Sequence, residues 1–227
     1  MDIYILTLAD SIDRYNITTN RLIRAEFSSD NFHKHIGIHG IKEPELLSIQ
    51  MLKWNCTADP TPAQRGCSFS HLDVMEKFLK TDKQHCMIVE DDLILPDNFS
   101  SMFQDVLLSI NGVTFDILFI GWEETTGNPL GLSEDSIRQK FIPYYPMCQH
   151  CYVISKCGAE KICNAIKKDG LSTVLDVWIS TQAKNYDIVS LCVNPSCYNF
   201  VTPSSSRMNR ANGIAFQDNN IPSTIDL

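Results

Sequence analysis

The sequence of 227 residues predicts an α/β fold with a mostly parallel central sheet flanked by helices. Three observations predict it. Short apolar runs alternate with stretches of helical periodicity along the chain. Two of those runs, Cys86–Val89 and Phe115–Ile120, are almost continuously apolar, as strands buried on both faces are. No internal repeat or linker interrupts the pattern, so residues 1–227 read as one domain.

Residues 3–8 read as the first strand. Residues 13–27 read as a helix, with Ser11 or Asp13 as its cap. A strand follows near 34–38, and Pro60-Thr61-Pro62 then breaks the chain. Across 65–80, Phe69, Leu72, Val74, Met75, Phe78 and Leu79 recur at helical spacing. Cys86–Val89 is the next strand and ends abruptly in Glu90-Asp91-Asp92. A helix over 97–110 leads to the strand Phe115–Ile120, which closes at Gly121-Trp122. Residues 123–140 are polar and read as a loop. Cys151–Ile154 is a further strand, followed by helices from Gly158 to about Lys168 and from about Thr173 to Lys184. Ile188–Val193 is the last clear strand, and the Ser/Asn-rich tail after about 203 is expected to be mobile.

At 44% hydrophobic and 20% charged, the chain has the make-up of a globular protein. Its formal net charge is -8 and it carries no basic stripe, which argues against nucleic acid as a partner. An acidic chain that handles a phosphate-bearing ligand needs local help, from a cation or a few placed Arg and Lys. No apolar run has the length of a transmembrane segment. Met1 leads directly into the first strand without a signal sequence, so the expected location is cytoplasmic; a lumenal fragment of a longer chain would reverse that. Cys86, Cys163 and Cys192 lie within apolar runs, so the nine cysteines read as buried free thiols rather than disulfides.

The chemistry concentrates in a few places. Glu90-Asp91-Asp92 puts three mutually repelling carboxylates at the end of a buried strand. A divalent cation there would offset the repulsion, and carboxylate oxygens suit Mn²⁺ or Mg²⁺. Ligands of open α/β sheets also bind beyond the carboxyl ends of the strands. The alternative is a solvated acidic turn or a helix cap ahead of Pro96-Asp97. Gly66 allows close backbone approach, and Ser70 and His71 bring a hydroxyl and an imidazole near a helix start. An ordinary helix start with a buried histidine reads the same way. Cys148-Gln149-His150-Cys151 lacks the second pair that a zinc site needs, so His150 reads as pointing into a pocket. Asp176 sits just inside a helix, where it either complements the helix dipole or deprotonates an attacking hydroxyl.

Together these segments resemble glycosyltransferase family 25. Leu6-Thr7-Leu8 with Asp13-Arg14 is similar to the family's opening strand and turn. Gly66-Cys67 followed by Ser70-His71 matches its GCxxSH pattern, and Val89–Leu93 its EDD core. Phe115–Gly121, then Tyr152–Ser155 with Gly158-Ala159, and finally Asp176 follow in the family's order, so the likeness spans residues 3 to about 180. The resemblance implies a GT-A-like nucleotide-binding fold and a metal-dependent, inverting transfer. The donor would be UDP-galactose or a related UDP-sugar, and the acceptor a saccharide or a hydroxylysine-type hydroxyl. It implies that Asp92 with Glu90 or Asp91 holds Mn²⁺ (or Mg²⁺). Thr7, Leu8 and Arg14 would line the nucleotide end, with Gly66, Ser70, His71 and His150 around the donor. Asp176 would be the general base, with Glu123 second. Thr7 stands where the family usually has Asn, and no His follows His150, so Asn or Ser near 199–206, or water, would complete the metal shell. The alternative is a non-catalytic relative that binds sugar or a partner.

Overall fold

The computed structural model describes residues 1–57, 59–123, 141–143, 147–185, 187–194, 211–213 and 216–217, and the side chains of 1–57, 59–121, 149–185 and 187–194. Its strands are β1 (Asp2–Thr7), β2 (Phe32–Ile36), β3 (His85–Glu90), β4 (Leu93–Ile94), β5 (Ile117–Glu123), β6 (Phe141–Pro143), β7 (Met147–Ser155), β8 (Ser190–Val193), β9 (Ala211–Gly213) and β10 (Phe216–Gln217). Its helices are α1 (Ile12–Arg24), α2 (Pro44–Lys53), α3 (Pro62–Leu79), α4 (Phe99–Ser109), α5 (Lys156–Asp169) and α6 (Leu175–Lys184).

The main sheet has eight strands in the order β2-β1-β3-β7-β5-β8-β6, with β9 on β5. Parallel pairing joins β1 to β2 and β3, and β5 to β8. With β7 antiparallel to both β3 and β5, strands β2, β1, β3, β5 and β8 all point one way. The antiparallel placement of β7 was not legible in its apolar run, because a strand buried on both faces reads the same in either direction.

Period-two alternation sorts the strand residues onto two cores. Tyr4, Leu6, Cys86, Ile88, Phe119 and Tyr152 pack under α2, α3, α5 and α6. Ile3, Ile5, Met87, Val89, Leu118 and Val153 pack under α1 and α4. Cys86, Cys163 and Cys192 are buried free thiols, as expected. Among the described residues no helix is long and apolar enough to cross a membrane.

Helix α3 is fixed at its start by a cap and along one face by a glycine. Thr61 caps it: its hydroxyl accepts from the Gln64 N–H at 3.3 Å, and the Gln64 side chain accepts from the Thr61 N–H at 3.0 Å. Pro62 occupies its first turn, so the helix starts three residues before the periodic signal at 65. A Cβ at Gly66 would fall 2.5 Å from the Ile38 carbonyl oxygen and 2.9 Å from the Gly40 nitrogen. Only a glycine lets α3 lie this close to the 37–40 loop.

Helix α2 has no counterpart among the sequence expectations. Leu46, Ile49 and Leu52 on it are exposed, whereas Leu47 and Gln50 are buried. Its apolar residues therefore do not gather on the buried face, and no amphipathic signal forms. Strands β4, β6, β9 and β10 were also unanticipated; each is only two or three residues long.

Candidate active site

The carboxyl ends of β1, β2 and β3 meet at one edge of the sheet. Leu6 pairs with Glu90 and Thr7 with Ile36. Beyond that edge lies a solvent-open cleft of about 670 Å³. The 37–40 loop, the start of α3, Arg14 from α1, and Thr7 and Leu8 form its walls, with Glu90, Asp91 and Asp92. This is the position expected of a ligand site in an open α/β sheet.

The three acidic residues do not converge. Asp91 and Asp92 lie on the α1 side, both nearly fully buried, and both reach the same Arg14 nitrogen, at 2.5 and 3.3 Å. The Thr7 hydroxyl donates to the other Asp91 oxygen at 2.6 Å. Helix α1 is tied to this turn by Thr18, which donates to the Asp91 carbonyl at 2.7 Å, and by Arg21, which donates to the Leu93 carbonyl at 2.8 Å. Burial disfavours the charge on Asp91 and, with help from Glu90, raises its pKa against the pull of Arg14 and Thr7.

Glu90 faces α3 instead. One of its oxygens lies 3.2 Å from His71 Nε2 and accepts from the Cys67 thiol at 3.8 Å. His71 is 1% exposed, and its Nδ1 lies 2.9 Å from the Tyr152 hydroxyl. Burial opposes the charge on Glu90, but the His71 hydrogen bond and the charges of His71, His150 and Arg14 outweigh it and lower its pKa. Burial pushes the Tyr152 phenol well up, so it stays a neutral hydrogen-bonding partner.

A second cleft of about 420 Å³ adjoins the first. Cys67 and Glu90 line both. Gln64, Ser68, Gln149, Val174, Leu175 and Asp176 complete it. Ser68 joins its two helices by donating to the Gln64 carbonyl at 2.9 Å and accepting from the Leu175 N–H at 3.1 Å. Asp176 lies in the first turn of α6, where its Oδ1 accepts from the Val177 N–H at 2.8 Å. Gln149 is 6% exposed, and its side-chain NH₂ has no hydrogen-bond partner among the described residues.

Thr7, Leu8, Arg14, Ser70 and His71 all line the first cleft. Gly66 and His150 lie off the first cleft, and the Ser70 hydroxyl is engaged with backbone. Gly66 is not among the described lining residues; it brings α3 against the loop. The Ser70 hydroxyl donates to the Gly66 carbonyl at 2.7 Å and accepts from the Ile38 N–H at 2.8 Å, so it fastens the loop to the helix. His150 is buried on β7 and lines neither cleft among the described residues, though its charge acts on Glu90. The Glu123 side chain and residues 199–206 lie outside the described residues. Cys67, Ser68, Gln149 and Tyr152 were missed as site residues. For Cys67 a signal existed: it stands one helical turn before His71, which puts both on one face.

Solved structures similar to this chain are distant from it in sequence. A crystal structure of Staphylococcus aureus TarS 1-349 is 12% identical over 88% of this chain, with a TM-score of 0.44, and its complex with UDP-GlcNAc is 13% identical with a TM-score of 0.43. This chain spans 59% and 57% of those two chains. The 4-diphosphocytidyl-2C-methyl-D-erythritol synthase of Anaerococcus prevotii is 12% identical over 89% of this chain and 92% of its own, with a TM-score of 0.42. No curated protein matches the chain significantly. The sequence does match the pattern of glycosyltransferase family 25 (LPS biosynthesis protein), over residues 1–177, and the chain belongs to that family.

Proposed function

We propose that this glycosyltransferase moves a hexose, galactose first among the candidates, from a UDP-sugar in the first cleft to a hydroxyl group in the second. The observation that carries the reading is the pair of adjoining clefts, which share Cys67 and Glu90 as a wall and hold buried acids on one side and Asp176 on the other. In this reading the acceptor is a saccharide or a hydroxylysine-type hydroxyl. The acceptor oxygen attacks the sugar's anomeric carbon as the bond to the diphosphate breaks, and Asp176 takes the hydroxyl proton. One displacement of this kind inverts the anomeric centre. Thr7, Leu8 and Arg14 border the nucleotide end, and His71 borders the sugar. Gln149 offers its unused NH₂ to an oxygen of the acceptor.

Mn²⁺ or Mg²⁺ fits the Asp91–Asp92 pair. Two buried carboxylates lie side by side at one guanidinium, and their oxygens are the hard donors these ions prefer. When bound, the cation would stabilise charge on the departing diphosphate. In this reading Asp92 is joined by Asp91 rather than by Glu90, whose oxygen lies with Cys67 and His71. The test is release of UDP from UDP-galactose, with and without acceptor, across a Mn²⁺ titration. Asp92→Ala should cut the metal-dependent rate by roughly 10²–10³-fold, and wild-type turnover in that variant at saturating Mn²⁺ would sink the assignment.

A binding-only role has one observation in its favour: Arg14 fills the point between Asp91 and Asp92 where a cation would sit. Calorimetric heat on adding UDP-galactose with Mn²⁺, together with no UDP release, would select that role.

A further inference from the structure

We infer that Cys67, His71 and Glu90 form a second, soft-metal site that takes Zn²⁺. Their donor atoms all lie within 4.8 Å of one another, and they are the only such group among the described residues. The chemistry of the set differs from that of the Asp91–Asp92 pair. A thiolate and an imidazole select zinc-like ions over Mn²⁺ or Mg²⁺.

The spacing suits a tetrahedral ion. With ordinary zinc bond lengths, such a centre sets sulfur and oxygen about 3.5 Å apart, and nitrogen and oxygen about 3.3 Å apart. The observed separations are 3.8 Å for Cys67 Sγ to Glu90 Oε1 and 3.2 Å for His71 Nε2 to the same oxygen. These two separations already lie close to the tetrahedral values, and the sulfur–nitrogen one is within 4.8 Å.

The support around the histidine is an independent observation. A metal-bound imidazole uses one nitrogen on the ion and the other in a hydrogen bond that sets its tautomer and orientation. In His71, Nε2 faces Cys67 and Glu90, while Nδ1 is 2.9 Å from the Tyr152 hydroxyl. The ring is 1% exposed and tilted against Tyr152, at 5.7 Å between centroids, so it is already aimed. Cys67 and His71 keep their positions because they stand one turn apart on α3, which Gly66 and the Thr61 cap anchor.

Three protein ligands leave a fourth position, and here it opens toward the clefts that Cys67 and Glu90 both line. Binding forms a zinc–sulfur bond and releases the Cys67 thiol proton to solvent. The ion would tie Glu90 to α3 and narrow the passage between the two clefts. Binding at the site needs neither donor nor acceptor, so it can be read separately from transfer although its residues border both clefts.

The test is a titration of the full chain with Co²⁺ alone as a spectroscopic stand-in for zinc. One equivalent should give a thiolate-to-cobalt charge-transfer band, which Zn²⁺ then bleaches. Cys67→Ser should lose the band while keeping the wild-type melting temperature without metal, and Cys157→Ser, at an exposed thiol, should keep it. Tyr152→Phe should retain the band and weaken metal affinity by about tenfold or more. Absence of the band, its survival in Cys67→Ser, or its loss in Cys157→Ser would overturn the site.

Discussion

The two flanks of the β3 terminus carry the same kind of side chain in opposite company. On the α1 flank, Asp91 and Asp92 face one arginine and a threonine hydroxyl. On the α3 flank, Glu90 faces a histidine and a thiol. Strand β3 ends at Glu90, which lies on the α3 side, and the turn that follows carries Asp91 and Asp92 to the α1 side. One flank offers carboxylate oxygens beside an arginine; the other offers mixed donors that hydrogen-bond one another. Adjacent in sequence, the three acids divide at the strand end between two sets of partners.

The largest effects come from substitutions that test this division. Asp92→Ala is expected to cut Mn²⁺-dependent UDP release by roughly 10²–10³-fold, the scale of losing one electrostatic contact to a developing charge. Glu90→Gln should leave the Mn²⁺ concentration that gives half-maximal rate within about twofold of wild type. A Mn²⁺ requirement raised equally by both variants would erase the distinction between the flanks. Asp176→Asn, across the shared wall, should lower turnover by roughly 10²–10⁴-fold while donor affinity stays near wild type. Calorimetry with UDP-galactose separates those outcomes, and a comparable loss of donor affinity would move Asp176 to a binding role.

Arg14 is the next lever, because it is the charge that Asp91 and Asp92 share. Arg14→Met is expected to destabilise the fold by about 3 kcal/mol, since it removes the guanidinium that two buried carboxylates share. Mn²⁺ should then raise the melting temperature of the variant more than that of wild type, by restoring the missing charge. Equal Mn²⁺ shifts in the two proteins would mean that the cation does not bind where the guanidinium sits.

How much of this was legible in the sequence depends on distance along the chain. Strand β3 and helix α3 were recovered within a few residues, because Cys86–Val89 and the Phe69–Leu79 pattern record burial directly. The cleft was legible as a list of residues, since Thr7, Arg14, His71 and the acids all line it. Its internal wiring was not. His71 meets Tyr152 across 81 positions, and Leu175 meets Ser68 across 107, and no local pattern encodes such pairs. Ser70 shows the same limit from the other side. Its hydroxyl suggested a ligand contact, yet both of its bonds go to backbone that joins α3 to the loop.

Two buried histidines, set side by side, give the smallest expected effect. Both His35 and His71 are nearly inaccessible, at 4% and 1% exposure. His71 faces a carboxylate, whereas His35 Nδ1 lies 2.7 Å from the Lys77 ammonium and must accept from it as a neutral ring. Burial, then the charges of Lys77 and His71, lower the His35 pKa from 6.5 to about 4. The folded protein thus binds fewer protons than the unfolded chain between those two values, so stability falls as pH drops from about 6.5 toward about 4. The full loss from this one residue is on the order of 3 kcal/mol. His35→Gln keeps an acceptor for Lys77 but cannot titrate. Urea denaturation from pH 7.5 to 4.5 should therefore show wild type losing about 2–3 kcal/mol more than His35→Gln across that range. Parallel curves for the two proteins would mean that His35 is protonated in the folded state and that the Lys77 contact does not hold it neutral.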